Sequence, residues 1–383
     1  VKLMRAQTLT SALIVAAVLL PTAVRAEPSA PPAAGPATPR ITAEQVEKLM
    51  KTAPHAYATH LKAGIFYQDK GIVGQAQDEF RQAIACKDTT PEAYKFLSQL
   101  LLKSNDRAEA ERVARQGVRL FPHNYGMLLT AGYILHNESK LADALSMYEA
   151  AMKEEPQNPQ IYVALADVSS AMNQPQKALQ YVNKALALGP ATDLICFEQA
   201  KVLVMLGRFE EAKKPLAQNF AKDPLNFKNN KLYLSVLNSQ KSSPREALKV
   251  QLCIMVPANK KQMDLAKVQV KEMLSTMSDS DATSAISNAE AAIKDIKLKA
   301  RLHFALGDVY DRINKADAAI KQYRAGLALD PGFARGYLRL GEDLETFKND
   351  TAGALKNYEK AASLDPADPE IQIRLKQLKA KVK

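Results

Sequence analysis

Residues 158–190 read NPQIYVALADVSSAMNQPQKALQYVNKALALGP, two helices with their punctuation. From Asn158-Pro159 to Ala171, the residues Tyr162, Leu165, Ala166 and Ser169 share one helical face. Asn173-Gln174-Pro175 breaks that helix. A second runs from Lys177 to Leu188 with Ala178, Val182 and Ala185 inward, and Gly189-Pro190 ends it. One such hairpin cannot bury all its apolar surface by itself. Stacking on like neighbours buries it in a continuous core.

The same punctuation recurs every 34 residues. Small residues stand at Ala76, Ala110, Ala144, Ala178 and Ala212, and prolines at Pro122, Pro156, Pro190 and Pro224. Ala285 and Ala319 resume the beat, and Pro331 lies 34 after a slot that Lys297 fills. Two interleaved series of one period mark a repeat array. The small residues mark where paired backbones come closest.

These residues resemble the tetratricopeptide repeat (TPR) family, whose period is 34. The best copy is His303, Leu306-Gly307, Tyr310, Ala319, Tyr323, Gly326 and Pro331. A second is Tyr337, Leu340-Gly341, Leu344, Ala354, Tyr358, Ala361 and Pro366, with one residue inserted between its helices. A third is Leu128, Ala131-Gly132, Leu135, Ala144, Tyr148, Ala151 and Pro156, and weaker copies extend the likeness over about residues 57–368. The resemblance implies an all-α, right-handed TPR superhelix (an α-solenoid) of eight to nine hairpins, closed by a C-terminal capping helix.

The rest of the chain is read around that array. Lys2 and Arg5, an apolar run from Leu9 to Leu20 and small residues near Ala26 have the layout of a secretory signal peptide over 1–26. That layout implies an exported bacterial protein, periplasmic or secreted. Residues 27–41 read as a Pro/Ala-rich linker, and Thr42 with Gln45 predicts a capping box on a leading helix. TPR-like repeats are expected over 42–258 and repeats again over 300–368, with a basic capping helix at 369–383. Between them the interval from Ala247 to Ala285 is 38, so the beat slips by four. Residues 259–299 read as a longer, degenerate hairpin with helices near Met263–Met277 and Thr283–Ile296 and a linker at Ser278–Asp281. The slip is read as a bend or hinge; a true break between two blocks is the competing reading.

The chain holds 52 basic and 41 acidic residues; without Lys2, Arg5 and Arg25 the basic count is 49. Such a surplus serves solubility or draws anionic partners. Cys86, Cys196 and Cys253 lack metal-ligand spacing and read as small buried thiols. The five histidines form no HExxH, and GxSxG, P-loop and GxGxxG patterns are absent. No enzyme activity, metal or cofactor is expected, and nucleic acid is not an expected partner.

In the family the first helix of each pair builds the inner wall on which peptides lie. Carried over by position, that wall holds Leu61, Ile65, Lys95, Gln99, Leu129, Tyr133, Val163 and Asp167 in the first half. It continues through Phe197, Lys201, Lys228, Lys231, Arg301, Phe304, Arg335 and Arg339. The first half is apolar and the second basic, which suits a peptide or helix with apolar anchors and acidic residues. The Lys/Asn/Lys/Arg clamp of some family members is missing: Lys95 fills one slot, but Gln99, Thr130, Gln160 and Ala164 fill others. The function expected is a protein-interaction adaptor in the cell envelope, in secretion, pilus or polysaccharide-export assembly. The alternative is binding of an anionic glycan or membrane surface by the basic half. If Ala144 marks a close approach, Ala144→Leu lowers stability by ~1–3 kcal/mol. A melting shift no larger than that of a surface control would rule out this register.

Overall fold

The computed structural model describes residues 41–86, 89–240 and 243–382; the expected signal peptide and nearly all of the linker lie outside them. Among the described residues there are twenty helices and no strand. They fall into two compact units that divide between Pro190 and Ala191 rather than at the 34-residue slip.

Unit 1 opens with α1 (Ala43–Thr52), where Thr42 and Gln45 close the capping box their spacing predicts. Four pairs follow: α2 (Tyr57–Asp69) with α3 (Val73–Ala85), α4 (Pro91–Lys103) with α5 (Arg107–Leu120), α6 (Tyr125–Asn137) with α7 (Leu141–Glu154), and α8 (Pro159–Ala171) with α9 (Pro175–Leu188). Unit 2 holds α10 (Asp193–Met205), α11 (Phe209–Lys222), α12 (Phe227–Gln240), α13 (Pro244–Met255), α14 (Lys260–Thr276) and α15 (Asp279–Ala292). It ends with α16 (Ile296–Asp311), α17 (Ala316–Leu329), α18 (Ala334–Lys348), α19 (Thr351–Leu364) and α20 (Pro369–Val382).

Each regular pair closes on a small residue. Ala76, Ala110, Ala144, Ala178, Ala212, Ala285 and Ala319 are all fully buried. A complementary contact runs the other way, with an aromatic of the second helix lying on a glycine of the first. A Cβ on Gly132 would stand 2.4 Å from the Tyr148 ring, and one on Gly307 the same distance from Tyr323. Gly64 under Phe80 and Gly341 under Tyr358 repeat the arrangement.

Turns and caps carry further 34-residue series that the alanines and prolines do not display. Gly71, Asn105, Ser139, Asn173 and Gly207 each follow a first helix with φ between 57° and 73°, a left-handed conformation that Gly and Asn adopt most readily. Asn124, Asn158, Thr192 and Asn226 begin first helices, each side chain accepting a backbone N–H of the first turn. Six residues past the closing proline, Tyr162, Asn230 and Gln372 each donate to the carbonyl of Pro156, Pro224 and Pro366. These junctions are thereby tied by local bonds before any stacking.

The 259–299 segment differs from the expected hairpin. Both helices begin earlier than the pattern suggested: Asn259 and Gln262 close a capping box on α14, and Ser278 caps α15 directly with Asp279 and Asp281 in its first turn, where the helix dipole favours anions. The expected Ser278–Asp281 linker is therefore cap and helix. Moreover, α15 packs along α13, not along its sequence neighbour α14, and α14 packs on α16. The closing helix α20 packs on α19 and buries Ile371 and Leu378. All three cysteines are free; Cys196 and Cys253 are buried and Cys86 half-buried. Burial pushes the Cys253 thiol up to about 12, which leaves it unreactive near neutral pH.

The glycine–ring contact has a direct test. Gly132→Ala forces the Tyr148 ring aside in a packed interior and lowers stability by ~1–3 kcal/mol, read as a fall in melting temperature. A melting curve matching wild type would show that the ring has room to move.

Candidate partner-binding surface

In unit 1 the first helices α4, α6 and α8 pack side by side, so equivalent positions line up across pairs. Leu61 and Ile65 of α2 and Tyr133 of α6 are half-buried against the core. Lys95 and Gln99 of α4 are also half-buried. Gln99 donates to the Thr130 hydroxyl at 3.5 Å, and Thr130 donates to the Gly126 carbonyl. Gly126 leaves room beside it for the Lys95 ammonium, which pairs with no carboxylate among the described residues. Lys95, Gln99 and Tyr133 thus share the surface of α4 and α6, with Leu61 and Ile65 in the equivalent slots of α2.

Three expected wall residues do not belong to it. Leu129, Val163 and Asp167 are 2%, 3% and 6% exposed, because neighbouring first helices close over them. Asp167 lies 3.7 Å from His136, itself buried, and its charge adds to burial in holding the Tyr148 hydroxyl well above its ordinary pKa. These groups form a polar interior.

In unit 2 most of the expected basic wall is already engaged within the chain. Lys201 pairs with buried Glu198, and Arg301 donates to the Ala258 carbonyl at 2.6 Å. Arg335 holds Asp368 at 3.2 Å; Arg339 holds Glu342 at 2.6 Å and Glu370 at 3.4 Å. Lys228 lies over the Phe197 ring, 5.2 Å from its centre, and Lys231 is exposed. Phe304 is a packing residue. Its ring occupies the notch left by Gly326 and Gly336 and lies 4.5 Å from that of Phe333. The basic tail of α20 is likewise engaged, with Arg374 on Glu342, Lys379 on Glu359 and Lys381 on Glu345.

A carboxylate cluster on α16 and α18 is the main feature that the sequence reading did not assemble. Tyr323 donates to Asp308 at 2.9 Å and to Asp311 at 2.7 Å, and buried Lys267 of α14 holds the other Asp308 oxygen at 2.5 Å. Asp311 also meets Asp343 across the α16–α18 interface. Their buried oxygens Asp311 Oδ1 and Asp343 Oδ2 find no donor among the described residues, which one proton held between them supplies. Burial, then the Asp311 charge, pushes Asp343 up to about 8. The signal lay in the repeat itself: Gly307-Asp308 aligns with Gly341-Glu342, and Asp311 with Glu345, which accepts from Tyr358.

Paired helices, buried small residues and lined-up first helices define a helical-repeat protein. Tetratricopeptide repeat signatures match residues 97–159, 135–195 and 300–333, and over those stretches the chain carries tetratricopeptide repeats. It is similar to the human protein O-mannosyl-transferase TMTC3, at 26% identity over 337 residues, 82% of this chain. The chain spans only 32% of that relative's length. Among solved structures it is similar to a thermophilic TPR protein from Thermus thermophilus, at 22% identity and TM-score 0.41, covering 48% of this chain and all of that one. It is similar also to one from Parabacteroides merdae, at 11% identity and TM-score 0.43, covering 75% and 98%.

The carboxyl pair makes stability depend on pH. Because Asp343 titrates in the fold above its ordinary value of 3.8, its contribution is fully present below that value and is lost as pH rises through about 8. Melting temperature is expected to fall as pH rises between about 4 and 8 and to level off above that, and Asp343→Asn, which cannot ionise, to flatten that fall. An unchanged slope in the variant would place the titrating group elsewhere.

Proposed function

We propose that the protein is a non-enzymatic interaction scaffold that binds a peptide or helix of a partner protein along the first-helix wall of unit 1. The observation that carries this reading is the alignment of half-exposed Leu61, Ile65, Gln99 and Tyr133 with the uncommitted Lys95 amine. Apolar anchors with one charge fixing register are what groove recognition of a short segment uses. Among the described residues no group of His, Cys, Asp or Glu is arranged to hold a metal ion.

The engaged arginines weigh against the anionic-surface alternative. A polyanion would have to displace Asp368, Glu342 and Glu370 from the cations they already satisfy. The basic and apolar pattern of residues 1–26 supports a place in the envelope or outside the cell, and an adaptor role in assembly there completes the proposal.

A displayed library of random twelve-residue peptides, selected on the full chain, tests the wall. Enriched peptides are expected to pair apolar residues with an acid, and to lose ~10-fold or more in affinity on Tyr133→Ala or Lys95→Glu, about 1.4 kcal/mol. Enriched peptides indifferent to both changes would refute the wall. So would binding of an anionic polymer that outcompetes them and collapses with salt.

A further inference from the structure

The displaced helix α15 opens a second surface in unit 2. Elsewhere in the unit the second helix of one pair seats against the first helix of the next; α15 follows α13 instead and packs only loosely on α16. The result is a groove of about 970 Å³ between α15 and α17, floored by α16. On α15 the facing residues Asp279, Thr283, Ile286 and Glu290 recur turn by turn, and on α17 Ala318, Ala325 and Leu329 do the same. Each stripe covers roughly three turns, about 16 Å of helix. His303 and Tyr310 form the floor, with His303 Nδ1 fixed by Gln322 at 2.7 Å.

Two features show that the groove is more than a packing fault. Small side chains (Thr283 and Ser287 on one bank, Ala318 and Ala325 on the other) keep it open to a backbone, as they do where paired helices meet. Its rim also carries groups the fold leaves unused. Phe347 is 47% exposed there. Lys315 and Lys348 are held by Asp279 and Asp317 at 2.7 and 2.5 Å, whereas Lys321 has no carboxylate partner among the described residues.

We propose that this groove docks one amphipathic helix of a partner protein, its apolar stripe on Ala325, Leu329 and Phe347 and a carboxylate on its flank meeting Lys321. The volume fits about two turns of a helix 10–12 Å across. Three-turn banks of small and apolar side chains with charged edges are the helix-in-groove arrangement, not that of an extended strand, which needs an open sheet edge. The groove is built from α15, α16, α17 and the end of α18, all in unit 2, so its occupancy is independent of the unit 1 wall.

The test uses a displayed library of eighteen-residue helical peptides selected on the full chain. Enriched sequences are expected to carry apolar residues at i, i+3, i+4 and i+7 with Asp or Glu beside them. Ala325→Trp, which fills the groove, is expected to weaken them ~10-fold or more. Lys321→Glu, a surface change that spares the fold, is expected to weaken them ~10-fold, with recovery when the peptide acid becomes Lys. Tyr133→Ala should leave them unaffected, which separates this site from the wall. The proposal is overturned if no helical sequence is enriched, if binding ignores both Ala325→Trp and Lys321→Glu, or if Tyr133→Ala abolishes it. Self-association of the purified chain that Ala325→Trp removes would likewise overturn it, assigning the groove to a second copy.

Discussion

Where two helices of a pair meet, a side chain of almost no volume on one faces a large flat ring on the other. Gly132 under Tyr148 and Gly307 under Tyr323 bring the backbones close enough for the ring to fill the interface alone. Interiors packed to crystal-like density leave no slack there. The fully buried alanines fix the same distance from the other helix. Once each pair is fixed in this way, its outer faces are set for the next pair, and the first helices line up into a wall. The proposed wall, the carboxyl cluster and the groove all follow from how well that spacing is kept.

Much of the array was readable because its determinants are local and periodic. Ala76 through Ala212 and the closing prolines carry the period in residue type alone. The turn residues carry it less visibly, since Gly, Asn and Ser share a left-handed conformation rather than a chemistry. The surface was read less well. Leu129 and Val163 occupy the same first-helix slots as Leu61 and Lys95, yet neighbouring helices close over them. One-dimensional register does not report that closure. Nor does it report the path of α15, which is decided by packing on α13.

Net charge proved a poor guide to available charge. The basic C-terminal half contains Arg335, Arg339, Arg374 and Lys381, each bound to a carboxylate of its own unit. Exposed pairs of this kind add little stability singly, but they remove cations from the set a ligand can use. At the two proposed surfaces, selectivity then rests with Lys95 in one unit and Lys321 in the other, which have no carboxylate partner among the described residues.

One residue more separates Gly341 from the start of α19 than separates Gly307 from the start of α17, yet the corner still holds a left-handed asparagine, Asn349 in place of Asn314. The extra residue is taken up because α18 runs further past Gly341, to Lys348, than α16 runs past Gly307, to Asp311, while Gly341 keeps its place beneath Tyr358. Small insertions and deletions can therefore accumulate at these corners over generations without disturbing what lies between them. An ancestral copy number can persist long after the ruler that reveals it has blurred.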